Sequence, residues 1–137
     1  MLISTRGRYA LRIMVDLARH QGEGYLALNE VARRQEISEK YLESIIRLLV
    51  KAGMLESLRG KGGGYRLSRL PGEYTVGELL RLTEESLAPV ACLEPGSEVC
   101  PRREHCATLP VWQGLEKVIG EYLDGITLEQ LANQTAE

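Results

Sequence analysis

Apolar residues recur at helical spacing in several segments of the chain. In residues 6–21, Tyr9, Ala10, Ile13, Met14 and Leu17 share one side, and Arg8, Arg12, Asp16 and Arg19 the other. This predicts an amphipathic helix that starts at Ser4 or Thr5 and ends at the Gly22–Gly24 break. YLAL (25–28) reads as a short strand, and Asn29 as the cap of a brief helix containing Val31 and Ala32. A helix so short needs neighbours to persist. Ser38 then caps a longer helix with Tyr41 at its third position and Gly53 as its stop. Leu42, Ile45, Ile46 and Leu49 face one way, while Lys40, Glu43, Arg47 and Lys51 fall at offsets 0, 3, 7 and 11 and form one exposed line. Two helices joined by a tight break, the second with a polar stripe, make a helix-turn-helix pattern.

Two strand-like runs follow, MLESLRG (54–60) and GYRLSRL (64–70), separated by Lys61, Gly62 and Gly63. A hairpin directly after the second helix is a wing, and its glycines permit positive φ and close approach of the backbone to another surface. Thr75 caps a helix over 76–85. Residues 86–109 have no periodicity and contain Pro89, Pro95 and Pro101 together with every cysteine. Pro110 starts a long helix over 110–124, in which Val111, Leu115, Val118 and Tyr122 repeat at offsets 0, 4, 7 and 11, widened by Trp112, Ile119 and Leu123. A small domain cannot cover so wide a stripe alone, so the same helix of a second copy is the expected partner. TLEQLANQ (127–134) predicts a short last helix capped by Thr127. The expected architecture is mainly α: a winged helix-turn-helix unit over 1–85, a cysteine-bearing loop over 86–109, and a dimerisation helix with a C-terminal helix over 110–137.

Charge sharpens the picture. Residues 1–70 carry 13 Lys+Arg against 7 Asp+Glu, and residues 71–137 carry 4 against 12, so a net charge of −2 conceals a basic half joined to an acidic one. The basic half is expected to meet a polyanion. No apolar run approaches a membrane span and the N-terminus has no signal-like apolar core, which points to a cytoplasmic protein with no membrane partner.

Residues 57–69 carry Arg59, Lys61, Arg66 and Arg69 around four glycines, three of them consecutive, with no acidic residue. The stretch has neither GxxxxGK[ST] nor a GxGxxG that opens a helix, so its phosphates are those of DNA rather than of a nucleotide. Lys40 and Glu43 lie near the start of the second helix of the pair, the end that enters the major groove. There Glu43 can accept from cytosine N4, and Arg47 can read guanine or hold phosphate. Arg59 and Lys61 at the wing tip suit a minor groove, and Arg6, Arg8 and Arg12 the flanking backbone. Ser38, Tyr41, Gly62 and Gly63 complete the expected DNA-contacting set.

Cys92, Cys100 and Cys106 read C-x7-C-x5-C, CLEPGSEVCPRREHC. Three thiols in one Pro-rich loop of an odd-cysteine chain suggest soft-metal ligation rather than disulfides, and the missing CxxC pair puts zinc second to an iron–sulfur cluster. A metal-free thiol switch, with Arg102 and Arg103 lowering a neighbouring pKa, fits the same residues. A cysteine-nucleophile enzyme lacks an oriented base, since only His20 and His105 exist and His105 adjoins Cys106. A metal-stabilised adaptor would leave the basic wing without a purpose.

STRGRYAL (4–11), SEKYLE (38–43), LRGKGGGYRL (58–67), the three cysteines and ITLEQL (126–131) together resemble the IscR-type winged-helix transcription regulators of the Rrf family, along essentially the whole chain. The resemblance implies a homodimer, formed through the long C-terminal helix, that binds near-palindromic double-stranded promoter DNA. It also implies a [2Fe–2S] cluster in members with cysteines, and other metabolic signals, including cysteine-pathway status, in relatives without them. It assigns minor-groove entry to Arg59 and base contact to Lys40 and Glu43. Those relatives often carry a histidine where this chain has Leu109, so the fourth ligand falls to His105, to Glu94, Glu98 or Glu104, or to the partner chain.

Overall fold

The computed structural model describes residues 2–134. It contains six α-helices among those residues and one two-stranded antiparallel sheet: α1 (Thr5–Arg19), α2 (Leu28–Gln35), α3 (Glu39–Lys51), β1 (Leu55–Leu58), β2 (Gly64–Leu67), α4 (Val76–Thr83), α5 (Leu109–Asp124) and α6 (Leu128–Ala132). The local capping chemistry is as expected at α1, α3, α4 and α6. Ser4 Oγ accepts from the Gly7 N–H at 3.0 Å, Ser38 Oγ from Tyr41 at 3.2 Å and Thr75 Oγ1 from Glu78 at 3.0 Å, each satisfying an orphan donor of a first turn. Thr127 and Gln130 form a reciprocal capping box at the start of α6.

Ala10, Ile13, Met14 and Leu17 of α1, Val31 of α2, and Leu42, Ile45, Ile46 and Leu49 of α3 form the centre of one apolar core. Asp16 departs from its expected place on the exposed basic face: it is buried. α2 also starts earlier than expected, with Ala27 rather than Asn29 at its cap and no capping side chain. The strand expected over 25–28 shrinks to a single bridge, in which Leu26 and Tyr65 exchange backbone hydrogen bonds of 2.9 Å each. Gly24, at φ 80°, turns the chain in, and α2 begins two residues after Leu26, leaving no room for a longer strand.

In the hairpin, Leu55 pairs with Leu67 and Leu58 with Gly64. Its exit is pinned by Tyr74, which is fully buried. The Tyr74 hydroxyl donates to the Met54 carbonyl at 2.7 Å and accepts from the Ser68 and Arg69 N–H groups at 3.0 Å each. Residues 84–108 are irregular apart from single 3-10 turns at Ala91–Leu93 and Arg103–His105, in keeping with the loop expected there.

α5 contributes no buried residue; Val111, Leu115, Val118 and Tyr122 are 58%, 42%, 60% and 68% exposed. Its C-terminal end is tied to α4 by a bidentate pair, Arg81 to Asp124 at 2.6 and 3.1 Å. Gly77 makes this approach possible, since a Cβ there would lie 1.9 Å from Asp124 Oδ1. The chain then returns to the core: Leu128 is fully buried, and Arg19 of α1 donates to the Ala132 and Gln134 carbonyls at 3.1 and 2.6 Å.

Candidate nucleic-acid interface

The outward side of α3 exposes Lys40, Glu43, Ser44, Arg47 and Lys51, while the apolar residues of the same helix anchor it in the core. Arg47 Nη2 donates to Glu43 Oε1 at 2.9 Å along that surface. Between α3 and the wing runs an open groove of about 560 Å³, bordered by Glu43, Arg47 and Lys51 on one side and by Leu58 and Arg59 on the other. Arg59 and Lys61 stand exposed at the tip. The hairpin therefore presents cations beside, not behind, the exposed line of α3.

The glycines have an internal explanation. A Cβ on Gly63 would lie 2.1 Å from the Leu58 carbonyl oxygen, and one on Gly64 2.1 Å from that of Leu26. The tight tip and the Leu26 crossing demand bare backbone at these two positions before any DNA is considered. Gly62, at φ 77°, belongs to the same turn.

The arginines of α1 divide. Arg6 donates to the Thr83 carbonyl at 2.8 Å, and Arg12, though exposed, is engaged by the side chain and carbonyl of Gln35. Arg8 stays exposed and, among the described residues, bonds only to Thr5 Oγ1 in its own helix at 3.1 Å. Ser38 acts as the α3 cap. Tyr41 is half-buried, its ring edge-on to Tyr9 with centroids 5.7 Å apart, so it bridges α1 and α3. Asp16 and Tyr74 carry no motif and escape a reading by pattern. Asp16 did leave one signal, its three-residue spacing from the core residue Ile13, which puts the two on neighbouring lines of the helix.

The cysteines occupy the irregular segment as free thiols: Cys92 half-buried, Cys100 exposed, and Cys106 half-buried with Sγ 3.4 Å from Thr108 Oγ1. The Thr108 hydroxyl and N–H, helped by the Leu109 N–H and the Arg102 guanidinium, lower the Cys106 thiol pKa. Exposed His105 immediately precedes Cys106 but joins no cluster: among the described residues, no three His, Cys, Asp or Glu side chains converge as metal ligands. The donor chemistry suits a thiophilic metal; the arrangement of the loop does not gather it into a site. No described helix is long and apolar enough to cross a membrane.

Comparison with known proteins agrees with this architecture. Residues 3–134 match the family model described as Rrf2, iron-dependent transcriptional regulator. The HTH-type transcriptional regulator IscR of Aliivibrio salmonicida is 40% identical over 131 residues, 96% of this chain and 77% of that relative. The HTH-type transcriptional regulator CymR of Bacillus subtilis is 39% identical over 135 residues, covering 98% and 92%. Among solved structures, CymR, the global cysteine regulator of B. subtilis, superposes with a TM-score of 0.81 at 38% identity over 99% of both chains. IscR of T. potens superposes at 0.76, also at 38% identity, over 100% of this chain and 93% of that one. A winged helix-turn-helix whose exposed helix and basic wing border one groove, matched over its whole described length, belongs to the Rrf2 family of DNA-binding transcriptional regulators and is not an enzyme.

Proposed function

We propose that the protein is a cytoplasmic homodimer that binds near-palindromic promoter DNA and adjusts its occupancy to iron–sulfur status through a [2Fe–2S] cluster, controlling promoters such as those of cluster biogenesis. The observation that carries the DNA-binding geometry is the shared groove between α3 and the wing. Lys40, Glu43 and Arg47 would enter the major groove, Arg59 and Lys61 the adjacent minor groove, and Arg8 would hold the flanking phosphates. Gly62 and Gly63 let the wing tip lie close to the duplex, and Ser38 and Tyr41 hold the start of α3. The exposed line of Val111, Leu115, Val118 and Tyr122 on α5 supports pairing with a second copy, because burying such a stripe is the main driving force available to it.

Cys92, Cys100 and Cys106 are the thiolate donors of the cluster reading, with His105 as the fourth ligand from this chain. Bound there, a cluster would supply a charge and a redox state that follow iron and oxygen supply. The chain's own part is to carry those donors on a loop joined directly to α4 and α5, the two helices tied by Arg81 and Asp124.

A second reading, a cluster-free regulator that responds to thiol redox state or to a cysteine-metabolism partner protein, is favoured by the separation of the three sulfurs and by the similarity to CymR. Anaerobic purification followed by an absorption spectrum and iron, sulfide and zinc analysis separates the two. Visible charge-transfer bands with equal iron and sulfide, lost in Cys100→Ala, support the cluster; a colourless, metal-free protein after reconstitution supports the thiol reading. Arg59→Ala should weaken promoter binding across a salt titration, and equal affinity of variant and wild type would refute the wing assignment.

A further inference from the structure

α1 and α2 are joined by a polar clamp that belongs to neither the DNA-facing surface nor the cysteine loop. The Asp16 side chain is only 2% exposed on the core side of α1. A carboxylate is tolerated there only when its oxygens are satisfied. Three hydrogen bonds do so, all from the last two residues of α2. Arg34 donates through Nη2 to Oδ1 at 2.6 Å and through Nε to Oδ2 at 3.0 Å, and Gln35 Nε2 donates to Oδ2 at 2.9 Å. Gln35 is held a second time by Arg12, whose Nε donates to Oε1 at 3.2 Å and whose Nη2 donates to the Gln35 carbonyl.

The next residue is the turn of the helix-turn-helix. Glu36 lies at φ 55°, ψ 43°, the one non-glycine residue with positive φ among those described. A side chain rarely adopts this conformation unless its surroundings impose it. Ile37 is buried and its N–H donates back to the Ala32 carbonyl at 3.1 Å, and Ser38 caps α3. Only these three residues separate the clamp from the helix that carries Lys40 and Glu43. A bidentate arginine–carboxylate pair has fixed geometry, so the end of α2 cannot rotate on α1 without breaking it.

We infer that Asp16 is a positioning residue for DNA recognition: through Arg34 and Gln35 it holds the left-handed turn, and so the angle at which α3 is presented, without touching DNA. The inference rests on the assignment of α3 as the base-reading helix. Arg34, a part-exposed cation on the first helix of the pair, invites assignment as a phosphate contact; the clamp commits its guanidinium to Asp16 instead.

The test compares full-length wild type, Asp16→Asn, Arg34→Lys and Arg59→Ala on two probes: a duplex of about 30 base pairs selected by the wild type from a random library, and poly(dI–dC). Asp16→Asn and Arg34→Lys should each lose at least about tenfold in affinity for the selected duplex while keeping wild-type affinity for poly(dI–dC) and the wild-type salt slope. Arg34→Lys keeps the charge and decides the matter if Asp16→Asn does not fold. A lowered melting temperature with an unchanged ratio of the two affinities would make the clamp structural only and overturn the inference. Full affinity for the selected duplex in Arg34→Lys would assign Arg34 to phosphate and overturn it as well. Arg59→Ala that binds both probes like wild type, or a wild type that enriches no sequence, would instead overturn the underlying assignment of wing and α3.

Discussion

Tyr74→Phe removes one oxygen and leaves the ring in place. The ring is fully buried and carries the Arg69 guanidinium 4.4 Å from its centroid, so packing is conserved in the variant. The Met54 carbonyl loses its donor at 2.7 Å, and the Ser68 and Arg69 N–H groups lose their acceptor at 3.0 Å each. A buried polar group left unpaired costs about 1–3 kcal/mol. Met54 is buried and its carbonyl keeps only the longer bond from the Ser68 N–H at 3.4 Å, whereas Ser68 and Arg69 are half-exposed and water can relieve them in part. The total is about 2–4 kcal/mol, a sizeable share of the roughly 5–15 kcal/mol available to a domain. For a chain of this size each kcal/mol lowers Tm by about 2–4 °C, which gives a fall of roughly 5–15 °C. Urea denaturation should move the midpoint with little change in slope, since the surface exposed on unfolding is unchanged. A loss under about 0.5 kcal/mol, the size of an ordinary surface substitution, would refute the role of Tyr74 as the pin of the hairpin exit.

Gly64→Ala should cost at least about 2 kcal/mol, because the new Cβ would displace the Leu26 backbone and both of its hydrogen bonds to Tyr65; a wild-type denaturation midpoint would show that the crossing is dispensable. Glu84 tests the junction of α1 with α4. Burial raises its pKa, but the Ser4 hydroxyl and N–H, the Thr83 hydroxyl and Arg6 outweigh it, and the folded value lies below the ordinary one. A depressed carboxylate stabilises the fold above its unfolded pKa and ceases to as pH falls through the folded value. Glu84→Gln should therefore lose stability at neutral pH and flatten the wild-type decline between about pH 5 and pH 3; denaturation midpoints that run parallel to wild type over that range would contradict the assignment.

Much of the architecture was legible in the chain because it depends on contacts a few residues apart. Ser4, Ser38, Thr75 and Thr127 cap helices with an N–H three residues ahead, and the stripes of α1 and α3 follow from helical period alone. The exposed line of α5 was legible for the same reason, as was the glycine turn of the wing. The boundaries slipped where tertiary structure intervened. α2 starts at Leu28 without help from Asn29, and β2 takes Leu26 as a neighbour in place of a regular third strand. Charge was least legible of all. Arg12, Arg19 and Asp16 read as one largely basic outer face and Arg6 and Arg12 as contacts to flanking DNA backbone, yet the partners of Arg6, Arg12, Arg19 and Asp16 are Thr83, Gln35, Ala132 and Arg34, residues 18 to 113 positions away. The sequence by itself determined which stretches carry helices, which sides are apolar and, where a Ser or Thr caps, where a helix starts, because period and capping are short-range. Only the tertiary structure decided which charges face inward and that the last helix returns to the first, because an ionic side chain is buried or exposed according to partners that the fold alone brings within reach.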